Sequence, residues 1–192
     1  MWPVSNNADQ TTELTSGGLV DGVLLIETQL DDLRVNRLVE TGVPIAMIGR
    51  TRNSVGIPFV DIDFKRTVEN GLDYLTSFGK ERIALVAEEV EGSPMAGHGA
   101  PIRTEQTFRE SMTRRGLNPI VVRCEETPTG GRSAAAALIG TGTNVTAILV
   151  MNEVAALGIV SGLSHAGLAV PADVSFLSMV TSPEIVRSRN RC

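Results

Sequence analysis

The residues best suited to chemistry in this 192-residue chain are Asp61 and Asp63, two carboxylates one residue apart in the run Phe59-Val-Asp-Ile-Asp63. A carboxylate pair at a strand end can hold Mg²⁺ or move protons, but such sites draw on further carboxylates or a phosphate loop. The sequence has no P-loop and no G-x-S-x-G nucleophile elbow. The pair therefore reads as one helix cap, Asp63, and one solvated carboxylate, Asp61. His98 and His165 stand far apart, and no Cys/His cluster has metal-ligand spacing. His165 falls near a helix end, where a dipole contact accounts for it. His98 falls in a long loop, where it could contact a ligand, and reads first as a solvated loop histidine. Gly140-Thr-Gly142-Thr-Asn-Val145 follows a helix and precedes a strand, the wrong order for a dinucleotide motif, so it reads as a turn. No catalytic residue, metal or cofactor is expected, and no enzymatic activity.

These residues are positioned by alternating strands and helices. Val20 to Ile26 is a near-continuous apolar run, the kind buried on both faces of a parallel sheet. Asp31 or Asp32 caps a helix through Thr41, with Val35, Leu38 and Val39 inward and Gly42 as its stop. A strand at Ile45 to Ile48 leads to a loop that carries Arg50. Within Phe59 to Ala87, Val60 and Ile62 alternate with the two aspartates as a short half-buried strand. Asp63 then opens a helix with Val68, Leu72 and Leu75 on one stripe, Gly79 closes it, and Arg82 to Ala87 is an apolar strand. Beyond the loop from Glu88 to Pro101 comes a helix from about Arg103 to Arg115, with Phe108 and Met112 as its apolar pair. A strand at Ile120 to Arg123, a turn at Thr127 to Gly131 and an Ala-rich helix at Arg132 to Ile139 follow. Strand Ala147 to Met151, a helix capped by Asn152, and strand Val174 to Met179 complete the pattern. Such alternation argues a parallel α/β fold with helices on both sheet faces.

Composition narrows the function further. A formal net charge of −5 gives no global basic field for nucleic acid, and 4% aromatic residues leave no broad stacking platform. No apolar run approaches bilayer length, and the first residues lack the basic and apolar regions of a secretory signal. A cytoplasmic protein without membrane contact is expected. Cys124 and Cys192 read as two unpaired thiols, with a single disulfide as the alternative.

Two runs are distinctive: Met151 to Gly158, a strand end followed by Asn-acidic-x-x-Ala-x-Gly, and Gly167-Leu-x-Val-Pro-x-Asp-Val-Ser175. With VDGVLLIE, VPIAMIGR, VDIDF and GLDYLTSFGKERIALV ahead of them, they resemble the effector-binding core of LacI/GalR-type transcriptional regulators over about Gly18 to Pro183. The resemblance implies the two-lobed periplasmic-binding-protein type I fold, with parallel sheets flanked by helices and a sugar, nucleoside or other small effector in the cleft. It implies an incomplete N-terminal lobe at 18–62, a C-terminal lobe at 63–182, and peripheral stretches at 1–17 (a disordered tail and helix remnant) and 183–192. It also implies a homodimeric repressor-type regulator. The chain then lacks the family's helix-turn-helix, so operator DNA is reached only through a missing N-terminal domain. A core truncated at both ends leaves strand Val20 to Ile26 with an exposed apolar edge. By position, the ligand-binding residues implied are Ile26, Glu27, Arg50, Asp61, Arg103 and Asn152. The family's clamping Arg aligns with Thr104, which puts Arg103 one position off. The family's ligand aspartate after the last strand is replaced in Met179-Val180-Thr181. A periplasmic-type sugar-binding receptor of the same fold is the alternative, and a small α/β enzyme using Asp61 and Asp63 a third.

Overall fold

The computed structural model describes Glu13, Thr15, Gly17, Gly18, and residues 20–92 and 96–179. Its contacts sort into two compact units, Met1–Ile62 with Pro94–Ile102, and Asp63–Ser93 with Arg103–Cys192. The tails at 1–12 and 180–192, and Cys192 with them, lie outside the described residues.

In the first unit, strands β1 (Val23–Ile26), β2 (Ile45–Ile48) and β3 (Phe59–Val60) form a parallel sheet in that order. Val23 pairs with Ile45 and Ile26 with Ile48, and Ile48 in turn pairs with Val60. Helix α1 (Leu33–Thr41) starts at Asp32, whose side chain accepts from the Arg34 N–H, and stops at Gly42 with a left-handed φ of 71°. One face of the sheet is packed: Leu25 and Met47 meet Val35 and Leu38 of α1. On the other face Leu24, Ile26, Ile48 and Val60 are exposed, so β1 is not buried on both sides. The expected half-buried strand at Val60 and Ile62 is corrected likewise: the strand ends at Val60, 74% exposed, and Ile62 is exposed beyond it. Val39, expected inward, is exposed as well. The physical reason is shared. Among the described residues, α1 is the helix that packs on this small sheet, so half of the apolar pattern meets no described partner layer.

The second unit is doubly wound. Its sheet runs β5 (Ile120–Cys124), β4 (Ile83–Glu88), β6 (Ala147–Val150), β7 (Ser175–Ser178), parallel throughout. Strand β4 alternates cleanly. Ile83, Leu85 and Ala87 pack against Val68, Leu72 and Leu75 of α2 (Phe64–Ser77) and Phe108 and Met112 of α3 (Gly99–Arg114). Ala84 and Val86 pack against Ala134, Ala135 and Leu138 of α4 (Pro128–Gly140) and Ala155, Ile159 and Leu163 of α5 (Glu153–His165). Asp63 caps α2 by accepting from the Arg66 N–H at 2.9 Å.

Two helices start earlier than the sequence suggests. Helix α3 begins at Gly99 and tolerates Pro101 in its first turn, where no intrahelical donor is required. Helix α4 begins at Pro128 behind a Thr127 cap, so Gly130 and Gly131 are helical rather than turn residues. Helix contact explains the glycines. A Cβ on Gly131 would lie 2.1 Å from the Ala155 carbonyl oxygen, and one on Gly158 would lie 2.0 Å from that of Pro128. Backbone meets backbone where α4 crosses α5, which only glycine permits.

Gly131→Ala and Gly158→Ala should each cost about 3 kcal/mol, because the obstacle is backbone that cannot step aside. Gly140→Ala, with no atom within 4 Å of its added Cβ, should stay within about 1 kcal/mol of the parent. Urea unfolding midpoints test the contrast, and equal behaviour of all three would refute the close-crossing account.

Candidate functional site

Parallel pairing in register places the residues after each strand side by side on one edge. In the first unit these are Glu27 and Thr28 after β1, Gly49 and Arg50 after β2, and Asp61 after β3. The Gly49 N–H donates to the Val60 carbonyl at 2.8 Å and keeps the edge aligned. Glu27 takes a left-handed φ of 55° and is exposed, and its carbonyl accepts from the Arg34 guanidinium at 3.3 Å. Gly49 has a φ of 97°, and a Cβ there would sit 2.9 Å from the Thr28 Oγ1. Arg50 and Asp61 come together as an ion pair at 3.3 Å, with the Asp61 side chain 10% exposed. Asp61 also accepts from the Ile62 N–H at 2.9 Å. The two aspartates thus divide as expected in role but not in exposure: Asp63 caps a helix, while Asp61 is largely covered and paired. Ile26 is exposed at the end of β1.

His98 overturns its expectation. It is buried, because 96–99 is hydrogen-bonded to 28–30: Leu30 N–H to the Gly97 carbonyl at 2.8 Å, Gly99 N–H to the Thr28 carbonyl at 3.3 Å, with Gln29 and His98 bridged antiparallel. Burial holds its pKa below the ordinary histidine value; Glu27 and Asp32 pull it up, and Arg34 presses it down. Nearby, Arg34 and Asp32 form a buried two-pronged ion pair with contacts of 2.9 and 2.7 Å. Burial raises the Asp32 pKa, but the bonds from Arg34 and the Gln29 N–H outweigh it and hold the carboxyl low. Two buried polar atoms here have no hydrogen-bond partner, Thr28 Oγ1 and His98 Nε2.

In the second unit the corresponding edge carries Asn152, one residue past Met151 at the end of β6. Asn152 is 1% exposed. Its Oδ1 accepts from the Ala155 N–H at 2.9 Å as the cap of α5, while its buried Nδ2 has no partner. Cap and candidate contact are therefore two ends of one side chain. Thr104 is equally buried and its Oγ1 likewise lacks a partner. Arg103, one position before it, sits with its guanidinium carbon 6.0 Å from the Phe64 ring centroid, within cation–π reach. At the ends of β4 and β5, burial and then Glu126 raise the Glu88 pKa, and burial with Glu88, Glu125 and Glu89 pushes the Cys124 thiol up to about 11. A thiol so placed is a structural one. His165 places Nδ1 2.8 Å from the Ser161 carbonyl oxygen at the end of α5.

Thr28 and Thr104 are not among the expected site residues, and for His98 a ligand contact is the second reading behind a solvated loop. Thr104 had a readable signal, since Thr104, Phe108, Ser111 and Met112 form one buried helical stripe. For His98 the signal is its place in the long loop from Glu88 to Pro101, while Thr28 has none, because its burial comes with a contact between distant segments.

Parallel sheets that bring a buried polar side chain such as Asn152 to their C-terminal strand ends have the architecture in which open α/β proteins place their ligand sites. Residues 72–189 match the family described as periplasmic binding protein-like domain, and the chain belongs to that family. It is 28% identical over 95% of its length to the HTH-type transcriptional regulator MalR of Streptomyces coelicolor, of which the match covers 54%. Among solved structures, a transcriptional regulator from Yersinia pestis superposes with a TM-score of 0.83 at 23% identity, over 92% of this chain and 62% of that one. A transcriptional regulator CelR–cellobiose complex superposes with a TM-score of 0.70 at 26% identity, over 88% of this chain and 51% of that one. The chain spans about half the length of the MalR-type relative it matches. Among the described residues, no helix is long and apolar enough to cross a membrane.

Stability should depend on pH through the first unit's buried groups. The unfolded chain binds protons wherever a folded pKa is depressed, so stability rises with pH across that interval. His98 should contribute fully above about pH 6.5 and lose its contribution as pH falls through its lower folded value. Asp32 should add a second loss below its ordinary value of 3.8. His98→Gln should flatten the upper phase alone in urea midpoints measured against pH. A parent profile level between about pH 7 and 5 would contradict a buried neutral His98.

Proposed function

We propose that this chain is the effector-sensing core of a LacI-type transcriptional regulator. The observation that carries the proposal is Asn152, a buried side chain whose acceptor end caps a helix and whose donor end has no protein partner. A donor left unsatisfied in a dry site costs roughly 1–3 kcal/mol, so its retention at a strand end favours a ligand that accepts from it. Sugar hydroxyls and nucleoside oxygens both do so. In the second unit the proposed contacts are Asn152 and Arg103. In the first unit they are Ile26, Glu27, and the Arg50–Asp61 pair, whose opposite charges can donate to and accept from neighbouring hydroxyls. The cellobiose in one structural relative is consistent with a sugar-like effector here. Operator contact is assigned to a helix-turn-helix outside the described elements. Function as a homodimer in the cytoplasm, as a regulator rather than an enzyme, completes the proposal.

Asn152→Asp tests it directly. The carboxylate can still accept from the Ala155 N–H at a helix N-terminus, so folding should persist, while the amide donor is gone. A thermal-shift screen of sugars and nucleosides on the full-length regulator should yield a stabilising ligand. The variant should keep the parent's unliganded midpoint and bind that ligand roughly tenfold or more weakly. Unchanged affinity in a folded Asn152→Asp protein would remove Asn152 from the site.

A further inference from the structure

A cavity of about 340 Å³ opens in the second unit at the strand edge opposite Asn152. Arg82 precedes β4, Thr146 precedes β6 and Val174 precedes β7, so the N-terminal strand ends form its floor. Leu138, Ile148, Leu163 and Val174 line it and are buried. Its mouth carries two exposed side chains of opposite charge, Arg82 and Asp173. The Arg82 Nε donates to the Asn144 carbonyl at 2.6 Å, which fixes the guanidinium in place. Asp173 Oδ2 accepts from the Ala169 N–H at 2.8 Å, which fixes the carboxylate. No ion pair joins the two, and each keeps polar atoms free for a guest.

The chemistry selects among guests. A neutral apolar molecule would use the lining and waste both charges. A simple anion would gain from Arg82 and be opposed by Asp173, and a simple cation the reverse. Helices α4 and α5 also bring their last turns to this cavity through Leu138 and Leu163, so their negative dipole ends favour an ammonium group nearby. The volume lies at the lower end of the roughly 300–1,000 Å³ typical of small-molecule sites. We propose that this cavity binds a small zwitterion with an apolar side chain, the class to which free leucine and phenylalanine belong. The carboxylate meets Arg82, the ammonium meets Asp173, and the side chain enters between Leu138 and Leu163. This site is independent of the effector site proposed above.

The test is an NMR titration of the full chain, labelled with ¹⁵N, with L-leucine and L-phenylalanine. Singly charged analogues, 4-methylpentanoate and 3-methylbutylamine, serve as comparisons. Expected are saturable shifts confined to the cavity lining, with both analogues at least about tenfold weaker, the order set by one charge-assisted hydrogen bond. Arg82→Gln and Asp173→Asn should each weaken leucine by a similar factor, since Asn can still accept from the Ala169 N–H. Ile139→Trp, at an exposed lining position, should block the mouth and abolish binding. Absence of saturable shifts with either amino acid overturns the proposal. So does equal binding of the analogues, or binding that survives Ile139→Trp.

Discussion

Parallel, in-register pairing is the constraint on which the rest of this structure depends. Parallel strands cannot be joined by tight turns, so most connections cross over through a helix. In the second unit the crossovers α3, α4 and α5 and the entering helix α2 cover both faces of the sheet, α2 and α3 on one and α4 and α5 on the other. The same pairing sends all strand C-termini to one edge, where side chains can no longer join the ladder. In the second unit Asn152 lies at that edge of its own sheet, and in the first unit Glu27, Arg50 and Asp61 lie at that edge of theirs. The fold thus separates its tasks. Apolar alternation within the strands supplies cohesion, and the first residues beyond them supply polar chemistry.

Much of this separation was legible in the sequence. Fully apolar runs such as Ile83 to Val86 and Ala147 to Val150 are fully buried, and Asp32, Asp63 and Asn152 each cap a helix from the residue where the apolar period begins. What escaped the sequence depends on distant contacts. Gly130 and Gly131 have poor helix propensity; Gly131 sits where α5 approaches closely, and a Cβ on Gly130 would meet the Glu125 backbone, neither of which local sequence reports. Val60 and Leu24 are exposed on a sheet face that no described helix covers, which period alone does not report. His98 looked like a loop residue, yet hydrogen bonds to 28–30 bury it.

Polar accounting picks out two of those strand ends, at Thr28 and Asn152, together with His98 before α3 and Thr104 within it. Most buried polar groups in folded proteins find a partner, so the exceptions carry information. Here Thr28, His98, Thr104 and Asn152 each bury one polar atom that no hydrogen bond satisfies. Cys124 shows the opposite treatment. Its thiol stays protonated among acidic neighbours and contributes packing rather than reactivity.

Under the proposed function, the offset between Thr104 and Arg103 is a one-residue difference that alters recognition. The resemblance places the family's clamping Arg at the position of Thr104, on the buried stripe with Phe108 and Met112. A step of one residue turns a helical side chain by about a hundred degrees. Arg103 accordingly points away from that stripe, and its guanidinium lies over Phe64. A forked cation at the buried position would favour a carboxylate or a pair of hydroxyls held rigidly in plane. A threonine hydroxyl there is neutral, can donate or accept, and reaches less far. Under the proposed function, discrimination at this position then rests on neutral hydrogen bonds, with Asn152 as the donor and Thr104 able to serve in either role. A ligand bearing a negative charge at that point would meet no counter-charge from Thr104 itself, so under the proposed function it would have to draw on Arg103, one position away, to offset its lost hydration.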